Sequence, residues 1–140
     1  MQFVSSDCLQ LNQFYKENKD KARAKPSDLM YAALDGHGQV CAVLRLLPYD
    51  GFLFLRSVHT SSKHRGKGIA SGLIDYSIRI QTKQADSLPI YTLPTELALP
   101  LYHRLGFQPI KQEHVPAELL ASYRRFRQSG NDSTVMVINP

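Results

Sequence analysis

Apolar positions change their spacing several times along the chain, and each change marks an element. After a short apolar start at Phe3-Val4, the segment Ser5-Ser6-Asp7 supplies side-chain oxygens that can cap a helix, and Leu11, Phe14, Tyr15 and Asn18 then fall on neighbouring turns. That helix gives out in Lys19-Asp20-Lys21-Ala22-Arg23-Ala24-Lys25-Pro26. Leu29 to Leu34 and Gln39 to Leu47 read as two strands joined by Asp35-Gly36-His37-Gly38, because glycines supply the positive φ that tight hairpins need. Pro48-Tyr49-Asp50-Gly51 turns the chain into Phe52 to Thr60, a run apolar on both faces in its first half. Such a run is expected at the centre of a covered sheet.

A polar, glycine-bearing segment follows, and the period then becomes helical. Ile69, Leu73, Tyr76 and Ile80 recur at steps of four, three and four, widened by Ala70, Ile74 and Ile78, so this helix packs its broad apolar face on the sheet. Leu88 to Leu93 reads as a strand and Leu97 to Leu105 as a short helix with Pro100 in its first turn. Gly106 stops that helix before Phe107 to Ile110 resume extension. Pro116 opens a helix carrying Leu119, Leu120, Tyr123 and Phe126, after which Ser129-Gly130-Asn131-Asp132 turns into a last strand, Thr134 to Ile138. The order predicts an α/β fold with a mixed sheet: antiparallel strands first, then two strand-to-helix crossovers around the glycine loop. One domain is expected over residues 1–140.

Composition narrows the class. At 140 residues, with 43% hydrophobic and 21% charged positions, the chain matches an ordinary globular domain, and no apolar run approaches the ~18 residues that cross a bilayer. Its first residues lack the basic start and apolar stretch of a secretory signal. Cys8 and Cys41 lie far apart without a CxxC or Cys/His cluster, which argues against a disulfide framework and against a bound metal. A reducing cytoplasm is the expected location. The net charge of +5 favours anionic partners, which include nucleic acid, an acidic protein or a phosphorylated cofactor.

The segment from Thr60 to Ser71 separates these. A loop rich in glycine and cations before a helix leaves main-chain N–H groups unpaired beside positive charge, a combination that suits phosphate. A P-loop does not fit, because four residues must separate its glycines and Lys-Ser or Lys-Thr must follow. A dinucleotide fingerprint is nearly formed by Gly66, Gly68 and Gly72, with Asp86 downstream, but its third glycine comes one residue late and a hairpin precedes it. The remaining pattern is Arg65-x-x-Gly68-x-Ala70, accompanied later by Leu101-Tyr102-His103-Arg104-Leu105-Gly106-Phe107. The pair resembles the acetyl-coenzyme A signature and the Leu-Tyr-x-x-x-Gly-Phe element of the GCN5-related N-acetyltransferase (GNAT) superfamily, in the right order and at a typical distance.

This resemblance implies a sheet of six to seven strands whose central strand splays from its neighbour, with coenzyme A in the V-shaped gap. Carried over by position, Arg65, Gly66, Lys67, Gly68, Ile69, Ala70 and Ser71 would receive the pyrophosphate, while Val58 and Thr60 would pair main-chain groups with the pantetheine arm and acetyl carbonyl. A Cβ at Gly66 or Gly68 would hold the backbone away from phosphate oxygens. Tyr102 is the expected proton donor to the leaving thiolate, since a phenol of pKa near ~10 is reasonably matched to a thiol of ~8.5. A main-chain amide near Thr60 would hold the oxyanion. Histone-type members carry a glutamate base on the central strand; Phe54 stands near that position here, which leaves His59, Glu96, His103 or water as candidates. The family's usual asparagine is replaced by Thr95, and the segment before Leu29 has room for one helix where relatives often use two, so the acceptor side is expected to be open or completed by a partner chain.

The function so implied is acetyl-coenzyme A-dependent N-acetylation of a primary amine by direct transfer, with no cysteine beside the motif to carry the acetyl group. The acceptor is an amine-bearing small molecule, a peptide or aminoacyl-tRNA. Lys16 to Lys25 and the helix Tyr123-Arg124-Arg125-Phe126-Arg127 either receive an anionic acceptor or are solvated faces. Partner expectations also include a homodimer. Two other classes stand beside the enzyme: a non-catalytic module that senses coenzyme A, and a basic nucleic-acid-binding protein, which lacks any aromatic-basic motif in its support.

Overall fold

In the computed structural model, which describes residues 1–130 and 134–139, local chemistry sets the elements much as the spacing requires. β1 (Gln2–Ser5) leads to Asp7, whose carboxylate accepts the Gln10 amide at 2.9 Å and starts α1 (Cys8–Glu17). Leu11, Phe14 and Tyr15 lie on its buried side, and Lys19, at a φ of 57°, turns the chain away. β2 (Leu29–Leu34), β3 (Val40–Tyr49) and β4 (Phe52–Thr60) form the antiparallel meander. The second hairpin is tighter than the sequence pattern implies: Pro48 and Tyr49 belong to β3, only Asp50 and Gly51 make the turn, and the Tyr49 and Phe52 rings stack at 4.9 Å.

α2 (Ile69–Thr82) crosses to β5 (Ile90–Thr92), and a 3-10 turn (Glu96–Ala98) leads into α3 (Leu99–Arg104) with Pro100 in its first turn. Gly106, at a φ of 101°, ends α3 and lets the Phe107 amide bond back to the Tyr102 carbonyl at 3.0 Å. β6 (Gln108–Pro109), α4 (Ala117–Gln128) and β7 (Met136–Ile138) complete the described elements. β5 and β7 are shorter than the apolar runs around them. Pro89 has no amide to give a ladder, although its carbonyl accepts the Leu53 amide at 2.9 Å. Part of the turn expected at Ser129-Gly130-Asn131-Asp132 lies outside the described residues.

The sheet has the order β1-β2-β3-β4-β5-β7-β6, antiparallel except between β4 and β5. Alternation along β4 divides the core as expected of a central strand. Leu53 and Leu55 face α2 and α3, packing with Leu73, Ile74, Ile90, Tyr102 and Phe107, while Phe52 and Phe54 face α4, packing with Leu119 and Tyr123. α1 lies on the same face as α4, over Ala32 and Val43. The expected mixed seven-stranded α/β architecture is the observed one.

Candidate active site

β4 and β5 share only three residue pairs, Leu53 with Ile90 through Leu55 with Thr92. Beyond them β4 continues to Thr60 bonded to β3 alone, while the other chain leaves as Leu93-Pro94-Thr95. The two strands therefore part, and a cleft of about 510 Å³ opens between them. Arg56, Ser57 and Val58 line one wall, Thr92 to Thr95 the other, and Ile74 and Tyr102 the α2 side. The Thr92 hydroxyl donates to the Leu55 carbonyl at 3.3 Å, which pins the point of divergence.

A β-bulge sits where the gap begins. Val43 pairs with His59 and Arg45 with Arg56, so Leu44 alone opposes both Ser57 and Val58, and Ser57 takes a φ of 56°. No glycine marks this position, and the sequence gives no sign of the strain. The bulge is held from below: the Tyr15 hydroxyl donates to the Ser57 carbonyl at 2.8 Å, and Arg45 Nη2 donates to Ser57 Oγ at 3.1 Å. Arg45 is itself buried, its Nη1 bonded to Asp28 at 3.0 Å and to the Arg23 carbonyl at 2.8 Å. Its Nε has no partner among the described residues, so the charge pair is only partly compensated.

The glycine loop lies past the end of β4. The Ser61 amide bonds to the Cys41 carbonyl at 2.9 Å and Arg65 Nε donates to the Thr60 carbonyl at 3.2 Å, which carries the chain out and around. Gly66 and Gly68 have φ of 78° and 75°, and a Cβ built on either meets nothing within 4 Å. Gly68 is the N-cap of α2 and provides no side-chain bond to the first-turn amides, among which no acidic residue stands. Unsatisfied amides, exposed Arg65 and Lys67 and free space beside both glycines fit a pyrophosphate. Ile69 is buried in the core and offers only its main chain; Ala70 and Ser71 are half-buried on the same turn. Gly72 has a different role: a Cβ there would come within 2.6 Å of the Phe3 ring, so the late glycine of the near-fingerprint lets α2 pack against β1.

Tyr102 is 6% exposed, meets Phe107 edge-on at 5.2 Å and lines the same cleft as Val58. Burial pushes its phenol up from the ordinary value, while a hydrogen bond with Thr92 pulls the other way. It is therefore neutral at pH 7, as a donor must be, but a less ready one than a solvated phenol. None of the other titratable candidates, His59, Glu96 or His103, lines the cleft; Glu96 and His103 are exposed. His59 is on the bulged strand, 2.8 Å through Nδ1 from Asp20 Oδ2 and edge-on to Phe14 at 5.7 Å. In the neutral tautomer whose Nδ1–H donates to the carboxylate, Nε2 is the acceptor.

Asp20 went unseen in the sequence because it lies inside a basic run whose cations are exposed. The run turns its acids inward, Asp20 to His59 and Asp28 to Arg45. α4 is the other element whose placement was unforeseen: Ser122, Arg125 and Phe126 line the cleft from the α1 face, so a helix of the same chain helps to close it. Asp35, Cys41 and His64 bring ligand atoms within 4.8 Å of one another, a grouping that cysteine spacing missed. Burial and Asp35 push the Cys41 thiol up, Asp35 already accepts the amides of His37 and Gln39, and three ligands fall short of a closed tetrahedral zinc set. No helix of the described residues is long and apolar enough to cross a membrane.

Comparison with known proteins agrees with this geometry. The family model described as an acetyltransferase (GNAT) domain matches residues 26–109. Among solved structures, Rv2747 from Mycobacterium tuberculosis in complex with CoA superposes at a TM-score of 0.72 and 15% identity, covering 100% of this chain and 99% of its own. A GNAT-family acetyltransferase from Staphylococcus aureus Mu50 gives 0.67 at 15% identity, with 99% and 98% covered. Arabidopsis thaliana NAA60 with a bisubstrate analogue gives 0.66 at 16% identity, with 98% and 96% covered. No curated protein matches the sequence.

Proposed function

Because the chain belongs to the GNAT acetyltransferase family, we propose that it transfers an acetyl group from acetyl-coenzyme A directly to a primary amine. The observation that carries this reading is the parting of β4 from β5, with Tyr102 beside the gap and the α2 loop following the free end of β4. The main-chain amides from Gly66 to Ser71 take the pyrophosphate, supported by the charges of Arg65 and Lys67. Val58 and Thr60 pair with the pantetheine arm as a further strand would, and an amide near Thr60 takes the charge that develops on the carbonyl oxygen. A neutral amine attacks that carbonyl, the C–N bond forms, the C–S bond breaks, and Tyr102 gives its proton to the thiolate. Because burial raises the Tyr102 phenol, the tyrosinate so formed is quickly reprotonated from solvent. His59, oriented by Asp20, takes the proton the amine loses, relayed by water.

Calorimetry with acetyl-coenzyme A, followed by thiol release across a panel of amines, peptides and aminoacyl-tRNA, tests the reading. Micromolar binding and thiol release with at least one amine are expected. Absence of binding at millimolar concentration overturns it, and binding without thiol release on any amine leaves the sensing module in its place.

A further inference from the structure

Three arginines gather on the α1 and α4 side of the cleft with one carboxylate among them. Arg45 holds it, paired to Asp28 at 3.0 Å below the bulge. Arg56, the last residue of β4 before the bulge, lays its guanidinium over the Phe54 ring at 5.7 Å, so the head is positioned. Arg125 comes from α4 and donates to Ser122 Oγ at 3.3 Å. Both line the cleft, both are exposed, and among the described residues neither has an acidic partner. Partial burial of its head first, then the like charges of Arg45 and Arg125, depress the proton affinity of Arg56. Like charges set side by side at a cleft mouth oppose folding, and an anion between them relieves that cost.

Resting on the acetyltransferase reading above, we propose that Arg56 and Arg125 hold a carboxylate of the acceptor, so that the enzyme acetylates amines that also carry a carboxylate. The guanidinium fork matches a carboxylate in two parallel hydrogen bonds, which fixes orientation as well as charge. Around the two heads the lining is apolar, with Phe54, Leu93 and Phe126, and Ser122 is the small polar group among them. Such a wall suits a compact anion on an apolar stem better than a polyphosphate backbone, which takes a long track of cations. A carboxylate held at this end turns the amine toward the bulge and Tyr102, where β4 and β5 part. The cleft of about 510 Å³ is shared with the acetyl arm, so only a small acceptor, or the end of a peptide, enters it.

The test uses amines in matched pairs that differ only by carboxylate or carboxamide, glutamate against glutamine and aspartate against asparagine, each free and at a peptide N-terminus. The expected kcat/KM preference for the acid is tenfold or more. In Arg56→Gln and Arg125→Gln that ratio falls toward one, mainly through KM, with melting temperature and acetyl-coenzyme A affinity checking that the fold persists. Equal rates within each wild-type pair, or an unchanged ratio in both variants, overturn the proposal. The free and peptide arms separate an amino-acid acceptor from a protein terminus. If no amine releases thiol, the acetyltransferase reading fails by itself. Titration of glutarate against glutaramide then decides the anion subsite: binding of glutarate alone, lost in both variants, supports it, and no difference between the two compounds overturns it.

Discussion

The Tyr15 hydroxyl donates a 2.8 Å hydrogen bond to the carbonyl of Ser57, joining α1 to the bulged residue of β4 whose φ is 56°. One helix thus supports the strained point where the cleft begins. A non-glycine residue in the left-handed region costs about 1–2 kcal/mol, and it persists only where its surroundings over-determine it. Tyr15 from α1 and Arg45 from the adjacent strand do so here.

Tyr15→Phe is expected to destabilise the protein by about 1–2 kcal/mol, because it leaves the part-buried Ser57 carbonyl without this partner. The pH dependence has a definite sign. Burial pushes the Tyr15 phenol up to about 12 from 10.0, so the neutral form is favoured in the fold. Its contribution is complete below pH 10 and is lost as pH rises through 12. Denaturation midpoints measured from pH 9 upward should fall more steeply for the wild type than for Tyr15→Phe, by an amount worth roughly 2 to 3 kcal/mol. Parallel curves would contradict the assignment.

Tyr102→Phe keeps the ring against Phe107 and removes only the hydroxyl. Turnover should drop about a hundredfold, the usual scale for a general acid, with acetyl-coenzyme A affinity changed by less than about threefold. Single-turnover thiol release with calorimetry on the same preparation reads both quantities. Equal losses in each would make Tyr102 a binding or packing residue.

Gly68→Ala is strained at a φ of 75° although open space surrounds the Cβ. Loss of about 1–2 kcal/mol of stability is expected, together with a loss of coenzyme A affinity that a pantetheine fragment lacking the pyrophosphate does not share. Weakening of both ligands alike would move the pyrophosphate away from this loop.

His59→Gln should lower kcat/KM about tenfold or more at neutral pH, and Asp20→Asn by a smaller factor, since the first removes the proton acceptor and the second only its orientation. At pH values above the pKa of the acceptor amine the deficit should shrink, because the amine then arrives neutral without needing His59 to take the proton of its ammonium form. A deficit independent of pH would assign the pair a structural role.

The element order, the central place of β4 and the loop before α2 were legible because each rests on local pattern: alternation, a 3.6-residue period, and glycines where φ is positive. Tyr102 and Val58 could be placed beside one another through the family resemblance, and the cleft brings them together. What stayed hidden depends on contacts between segments distant in sequence. Ser57 looks like any strand serine, and its left-handed backbone follows from pairing two residues against Leu44. Asp20 reads as one acid in a basic loop until tertiary folding sets it against His59, 39 residues away. Arg125 reads as part of a basic helix that either receives an anionic acceptor or is a solvated face, and only the fold sets it on the same cleft as Arg56.

Where β4 leaves β5, the seven-stranded sheet carries an open edge in its interior. The outward amides from Arg56 to Thr60 have no adjoining strand to bond to, so they should exchange hydrogen for deuterium far faster than those of Leu53 and Leu55 on the same strand. A molecule lying along that edge acts as a missing eighth strand: it slows exchange over those few residues and, at a hundred times its dissociation constant, stabilises the whole fold by about 2.7 kcal/mol. The seam between β4 and β5 is thereby also the place where the protein's stability is set by what occupies it.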